Sequence, residues 1–315
     1  MEKESILITG GAGYLGCVLT GYLLSKGYRV TVIDSLMYAN KSLFIYSSNP
    51  DFEFVYGDSR NRELLEKEVP KHNIIIPLAA IVGMPACNSK PQETEDINRN
   101  SILLINEIRT NNQKLIYPNT NSGYGVSTGE VYCTEETPLE PVSSYGKMKC
   151  EAEIHLLESE KDAITLRLAT VFGISPRMRT DLLVNDFTLK AFRDGYIVIY
   201  QKDFKRNYIH VKDVARVFLH CIKNYETMKN KAYNVGLEDA NLSKIDLAEK
   251  IKKYIPNFEI VCKEIGEDPD KRNYIVSNKR ILSTGFKPKY SLDFGIKELI
   301  KGYKILLKND PFQNV

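Results

Sequence analysis

The sequence predicts a doubly wound parallel α/β sheet with a smaller cap built mainly from the C-terminal half. Three observations predict it. Short β-branched runs alternate with longer amphipathic segments through the first half of the chain. A glycine-rich turn joins the first such run to a helix. After about Gly173 the alternation becomes irregular, broken by Pro176, Pro256, Pro269 and Pro288. At 315 residues the chain can bury roughly three quarters of its unfolded surface, so a sizeable core needs no staple.

The expected strands are Ser5–Thr9, Arg29–Ile33, Phe52–Tyr56, Ile74–Pro77, Leu115–Tyr117 and Ile164–Leu168. Ile6-Leu7-Ile8 and Val30-Thr31-Val32-Ile33 are continuous apolar or β-branched runs, as parallel strands buried on both faces should be. Between them lie helical segments at Tyr14–Ser25, Asn61–Glu68, Glu93–Thr110 and Tyr145–Ser159. The stretch Tyr208–Cys221 is expected to return as strand and helix to the main sheet, so the division between layers is not a single cut.

Bulk properties narrow the function classes. The formal charge is +3, from 43 basic and 40 acidic residues, and gives no reason to expect nucleic acid or an anionic membrane as partner. The six cysteines are not at metal-ligand spacing and form no dense disulfide framework. The four histidines form no ligand cluster, and no metal is expected. The N-terminus runs directly into a strand and lacks a signal peptide's features, and no apolar run reaches spanning length. A cytoplasmic location is therefore expected.

Thr9-Gly10-Gly11-Ala12-Gly13-Tyr14-Leu15-Gly16 follows the first strand and opens a helix. Gly10 permits the tight turn, Gly13 lets the backbone approach a pyrophosphate, and Gly16 allows helix and strand to touch. The helix amides from Tyr14 and Leu15 onward then face the phosphates with a partial positive charge. This is the layout of a Rossmann-type dinucleotide site. Asp34 ends the second strand, where it can accept from ribose hydroxyls and repel a 2′-phosphate, favouring NAD over NADP. Asp58, after the third strand, is placed to meet the adenine amine. Residues 1–172, with 208–236 returning to them, are assigned to the NAD-binding domain and 173–315 to a substrate-binding domain.

A tyrosine and a lysine four apart on a helix share a face, and a nearby ammonium stabilises phenolate. Such a phenolate can take the proton of a hydroxyl while hydride leaves for nicotinamide. The pattern occurs at Tyr22–Lys26, Tyr145–Lys149, Tyr208–Lys212 and Tyr225–Lys229. Only Tyr145 opens a helix near the carboxyl edge of the expected sheet, where ligands bind. Tyr145 and Lys149 are therefore the catalytic pair.

With TGGAGYLG, Asp34, Leu78-Ala79-Ala80, the block Asn119-Thr120-Asn121-Ser122-Gly123-Tyr124-Gly125 and Tyr145-Gly146-Lys147-Met148-Lys149, the chain resembles the nucleotide-sugar epimerase/dehydratase family, the extended branch of the short-chain dehydrogenases/reductases. The resemblance implies that Leu78, Ala79 and Ala80 line the cofactor and that Asn98 supports it. It implies that Thr120 is the catalytic hydroxyl, with Ser122 as the alternative or as a substrate contact. Arg206-Asn207-Tyr208-Ile209-His210-Val211-Lys212-Asp213 looks like the family's later signature, in which Arg206 meets the nucleotide phosphates while Tyr208 and His210 are structural. In the stretch Ser175–Asp186, Arg177, Arg179 and Asn185 fall where relatives bind the nucleotide diphosphate. Lys271 and Arg272 are further phosphate candidates.

The departures from the family bear on the reaction. Dehydratases follow the catalytic threonine with an acid pair; here Asn121-Ser122 stands there, which disfavours dehydration. Asn121 also replaces the cysteine of the 3,5-epimerase/4-reductases. What remains is oxidation at the sugar C4. The resemblance extends to bacterial enzymes that oxidise GDP-heptoses for surface polysaccharides, which points to a 4-dehydrogenase. The alternative is a 4-epimerase that returns the hydride to the opposite face, and a non-catalytic NAD-binding regulator is a remoter one. A homo-oligomer, through Glu93–Thr110 and Tyr145–Ser159, is what the resemblance implies.

Overall fold

The computed structural model describes residues 3–39, 41–126, 131–263 and 272–306. The first half runs β1 (Ser5–Thr9), α1 (Tyr14–Leu24), β2 (Arg29–Asp34), β3 (Phe52–Tyr56), α2 (Arg62–Glu68) and β4 (Ile74–Pro77). It continues through α3 (Met84–Ser89), α4 (Pro91–Glu95), α5 (Ser101–Ile108), β5 (Lys114–Thr120), β6 (Tyr132–Cys133), α6 (Ser144–Glu158) and β7 (Ala163–Leu168). The second half holds β8 (Thr170–Phe172), α7 (Leu183–Arg193), β9 (Tyr196–Tyr200), β10 (Lys205–His210), α8 (Val211–Lys223), α9 (Tyr225–Met228) and β11 (Lys231–Val235). β12 (Asn241–Ser243), α10 (Lys244–Lys252), β13 (Glu259–Lys263), β14 (Ile275–Val276), α11 (Lys279–Ser283) and α12 (Leu292–Leu306) complete it.

Seven parallel strands form the main sheet in the order β11-β7-β5-β4-β1-β2-β3. The strand order reverses between β1 and β4, so the crevice at their carboxyl ends is the expected ligand position. β1 is buried along its whole length. Its alternating side chains feed two cores: Ile6 and Ile8 join the one containing α1 and α8, and Leu7 joins Ile75, Ile102, Leu115 and Ala152 on the other face. This is the doubly wound sheet that the sequence predicts.

The second half differs in one respect. The strand β10 does not enter the main sheet; it pairs with β8 and β12 in a separate three-stranded sheet. β8 leaves the main sheet directly after β7 and takes β10 with it. It is β11, beyond α8, that returns to seal the edge of β7. The expected single helix over Glu93–Thr110 is interrupted by a π-helical turn at Asp96–Asn100. That wider turn carries Asn98, which is fully buried.

Candidate active site

The cofactor half of the site is assembled where β1, β2 and β4 end. Gly10 has φ +72° and packs so tightly that a Cβ there would stand 2.5 Å from the backbone of Ala79. The glycine turn and the Leu78-Ala79-Ala80 segment are thus in direct contact. Gly16 meets the backbone of Gly11 in the same way. Gly13 is the N-cap of α1; it supplies no side-chain cap, and the first turn holds no acidic residue. Such a helix start leaves its amides for an anion, which fits a pyrophosphate. Asp34 lies beside this turn: its Oδ2 accepts from the Ala12 amide at 2.9 Å and its Oδ1 from the Leu36 amide at 2.8 Å. Asn98 reaches from the π turn to the chain just after Ala80, pairing with both the amide and the carbonyl of Ile81 at 2.8 Å. These residues fit the adenosine and diphosphate of NAD.

One cofactor expectation needs correction. The Tyr14 hydroxyl is buried and donates to the Gly173 carbonyl at 2.7 Å, which leaves only the backbone of Tyr14 for the expected role. Asp58 is not a free acid. Arg60 grips both of its oxygens, at 3.0 and 2.6 Å, and holds the carboxyl below its usual range. An adenine amine would have to share that carboxylate.

Tyr145 lies in the first turn of α6, two residues past its N-cap, Ser143, whose Oγ accepts from the Gly146 amide at 3.1 Å. Its ring packs against the cluster of Ile81, Cys87 and Ile97, which Ala79 also joins. Lys149 is buried one turn on, with its ammonium over the Tyr117 ring at 4.0 Å from the centroid. Burial pushes Tyr145 up to about 12 and Lys149 down to about 7. The cations whose field lowers the phenol are Arg179 and Arg272. The sequence pattern pointed to the Lys149 ammonium for this role; the two arginines come from distant segments that spacing along the helix did not bring there.

Thr120 and Ser122 stand together at the end of β5. The Thr120 hydroxyl donates to Ser122 Oγ at 2.9 Å and accepts from the Ser122 amide at 3.1 Å. Arg272 donates to the same Ser122 Oγ. Between them Asn121 is buried with neither side-chain polar atom partnered among the described residues. No carboxylate occupies the two positions after Thr120.

The remaining substrate candidates separate. Arg179 pairs with Asp181 and lies close enough to lower both Tyr14 and Tyr145. Arg177 turns toward the cofactor side, stacking over Tyr38 at 4.6 Å in the loop that follows Asp34. Arg206 is buried, with its guanidinium 5.5 Å from the centre of the Tyr274 ring. Asn185 is not a substrate contact. It has no exposed surface, and its amide is spent on the Gly173 amide at 3.1 Å, the Arg179 carbonyl at 2.8 Å and the Tyr14 hydroxyl. Its place is to hold the loop bearing the arginines against α1. His210 is buried among Phe172, Tyr290 and Phe294 with Nε2 2.9 Å from Glu298, a structural role as expected. Lys271 lies outside the described residues.

A buried polar network beneath the site was missed in the sequence. Glu153 accepts from Arg167 Nε at 2.9 Å and Nη2 at 2.7 Å, and from Asn119 at 2.8 Å. Asn119 Oδ1 in turn accepts from the Thr120 amide at 2.8 Å. Arg167 continues to the Tyr124 hydroxyl at 2.9 Å, which donates to Asn234 on β11 at 2.7 Å. The four-residue spacing Tyr145–Lys149–Glu153 was the available signal, since it places all three on one face of α6.

A parallel sheet with a glycine turn, an acid after β2 and a Tyr–Lys pair at its carboxyl edge defines a dinucleotide-dependent oxidoreductase. Comparison narrows this: the model of the NAD dependent epimerase/dehydratase family matches residues 6–236, and the chain belongs to that family. It is 26% identical over 312 residues to the low-salt glycan biosynthesis protein Agl12 of Haloferax volcanii, covering 95% of this chain and 98% of that protein. It is likewise 26% identical over 312 residues to a UDP-glucose 4-epimerase of Lactobacillus helveticus, covering 90% and 92%. Among solved structures, the UDP-glucose 4-epimerase of Thermotoga maritima with UDP-glucose superimposes with a TM-score of 0.81 at 24% identity, covering 96% of this chain and all of that one. The protein is an enzyme of the NAD-dependent nucleotide-sugar epimerase/dehydratase family.

Proposed function

We propose that this enzyme is a nucleotide-sugar 4-epimerase: Tyr145 takes the proton of the sugar C4 hydroxyl, hydride passes to NAD, and the hydride returns to the opposite face of the rotated ketone. The observation that carries this reading is the acid-free turn Thr120-Asn121-Ser122 beside the Tyr145–Lys149 pair. An amide and a hydroxyl at those positions can neither remove a C5 proton nor protonate a departing hydroxide, so oxidation at C4 has no elimination to follow it.

Two further observations favour return of the hydride over release of a ketone. The relatives include UDP-glucose 4-epimerases. Arg177 and Tyr38 also meet, joining the loop after β8 to the loop after β2. The loop after β8 is fastened to α1 through Ser175, which donates to the Tyr14 carbonyl at 2.7 Å. A clasp at that place would slow release of a dinucleotide between turnovers, which supports the epimerase reading. The GDP-heptose 4-dehydrogenase therefore becomes the second reading, supported only by its sharing every residue of the first half-reaction.

The test is to incubate purified enzyme with NAD and a panel of UDP-, GDP-, CDP- and dTDP-sugars, heptoses included, following NADH absorbance and product NMR in the same tube. A C4 epimer without net NADH is the expected result. Accumulating NADH with a 4-keto product would replace the epimerase by the dehydrogenase. Tyr145→Phe is expected to abolish most turnover while NAD still binds; unchanged turnover would end both readings.

A further inference from the structure

Arg272 reaches the hydroxyls of the site from the opposite half of the chain. The segment that carries it runs beside the Thr120 turn: Asn273 bridges Val126, and β14 pairs with β6 in parallel. Its guanidinium donates to Ser122 Oγ, the same oxygen that accepts the Thr120 proton. That oxygen thus has both lone pairs occupied, and Ser122 is almost wholly buried. The Thr120 oxygen, which donates to Ser122 and accepts from its amide, is left with one lone pair on its half-exposed side.

We propose that Arg272 is a positioning residue for the reaction: it pins the Ser122–Thr120 hydroxyl pair beside Tyr145 and brings to the reacting end a positive charge that favours the phenolate. This rests on the reading of Tyr145 as the base that oxidises a sugar alcohol. The groups that act on the phenol come from several elements. Cys87 on α3 and Cys150 on α6 oppose ionisation, while Arg179 from the loop before α7 acts in the same sense as Arg272. Arg179 is partly neutralised by Asp181.

The decisive measurement needs no turnover. In NAD-loaded protein carrying 13Cζ-tyrosine, with the Tyr145 resonance assigned through Tyr145→Phe, Arg272→Met is expected to raise the midpoint of the Tyr145 titration by about one pH unit. Arg272→Lys should bring it back by more than half, and unchanged remaining tyrosine resonances would show that the fold survives. A midpoint that stays put in Arg272→Met overturns the proposal. On the substrate identified by the sugar panel, Arg272→Met should lower kcat about tenfold and move its acid limb upward with KM within about threefold. A tenfold rise in KM and in the Kd for the free nucleoside diphosphate, with the limb unmoved, would instead make Arg272 a phosphate ligand and overturn it. Loss of the epimerase reading would appear in the panel, whereas loss of this one would appear in the titration.

Discussion

Removing the Glu153 carboxylate is expected to destabilise the protein more than removing the whole ion pair it belongs to. Glu153 and Arg167 are both almost completely buried, and the carboxylate accepts three hydrogen bonds, two from the guanidinium and one from Asn119. Glu153→Ala leaves a guanidinium in a dry interior without its counter-charge, which costs about 3–5 kcal/mol. Arg167 keeps the Tyr124 hydroxyl and the Glu135 carbonyl as acceptors, so the lower half of that range applies. In the double variant Glu153→Ala/Arg167→Met no charge is stranded, and its cost should fall below that of Glu153→Ala alone by about 1–2 kcal/mol. Urea unfolding followed by circular dichroism on the four members of the cycle measures this. If the double variant costs as much as the two singles added together, the network is not an interdependent buried pair and the reasoning fails. Asn119 would lose its anchor in either variant. Its hold on the Thr120 amide would loosen, and kcat should fall even where the protein remains folded.

Gly10→Ala places a Cβ against the Ala79 backbone at a φ that side chains rarely adopt, and should weaken NAD binding at least tenfold in a calorimetric titration while the sheet still forms. Glu298 is held down at about 2 by its bonds to His210 and Lys212. Because the folded value is depressed, the stability it contributes is present above the ordinary glutamate range, near 4.3, and is lost as pH falls from there toward 2. Glu298→Gln should flatten the acid side of a plot of melting temperature against pH, and an unchanged slope would remove Glu298 from the account. Finally, we propose self-association through α5 and α6, where Ile154 is 46% exposed and a groove of about 700 Å³ is lined by Leu103, Leu104 and His155. Ile154→Asp should then convert the oligomer to a monomer in light scattering, and a wild-type monomer at micromolar concentration would refute it.

Much of the first half could be read before any coordinates, for a local reason. Strands buried on both faces are written as apolar runs, and β1, β2, β3 and β4 fall within a residue of their expected bounds. The glycine turn, Asp34 and the Tyr145 helix were legible because each depends on neighbours close in sequence. What could not be read is set by distant pairing. Nothing in Lys205–His210 itself says that its partner is β8 rather than the main sheet. One partner of Arg272 is Ser122, 150 positions away. Asn185 has the polarity of a ligand contact, and only its burial against Tyr14 and Gly173 shows that its bonds are spent within the fold. Arg177 was singled out as a contact for the nucleotide diphosphate, and its direction toward Tyr38 depends on how the loop after β8 lies on α1.

The late return of β11 also has a consequence for how the protein is made. While the chain emerges from the ribosome, the first 172 residues can supply six of the seven strands of the main sheet, yet the outer edge of β7 stays bare until Val235 has been synthesised. Along that edge Arg167 stands opposite Asn234, so the polar network under the catalytic helix is incomplete for the same interval. A nascent chain with an open parallel edge and half-satisfied charges is the kind of species that recruits holding chaperones or pairs with a neighbour. Synthesis rate between residues 172 and 235, rather than the finished stability, would then govern the yield of soluble enzyme.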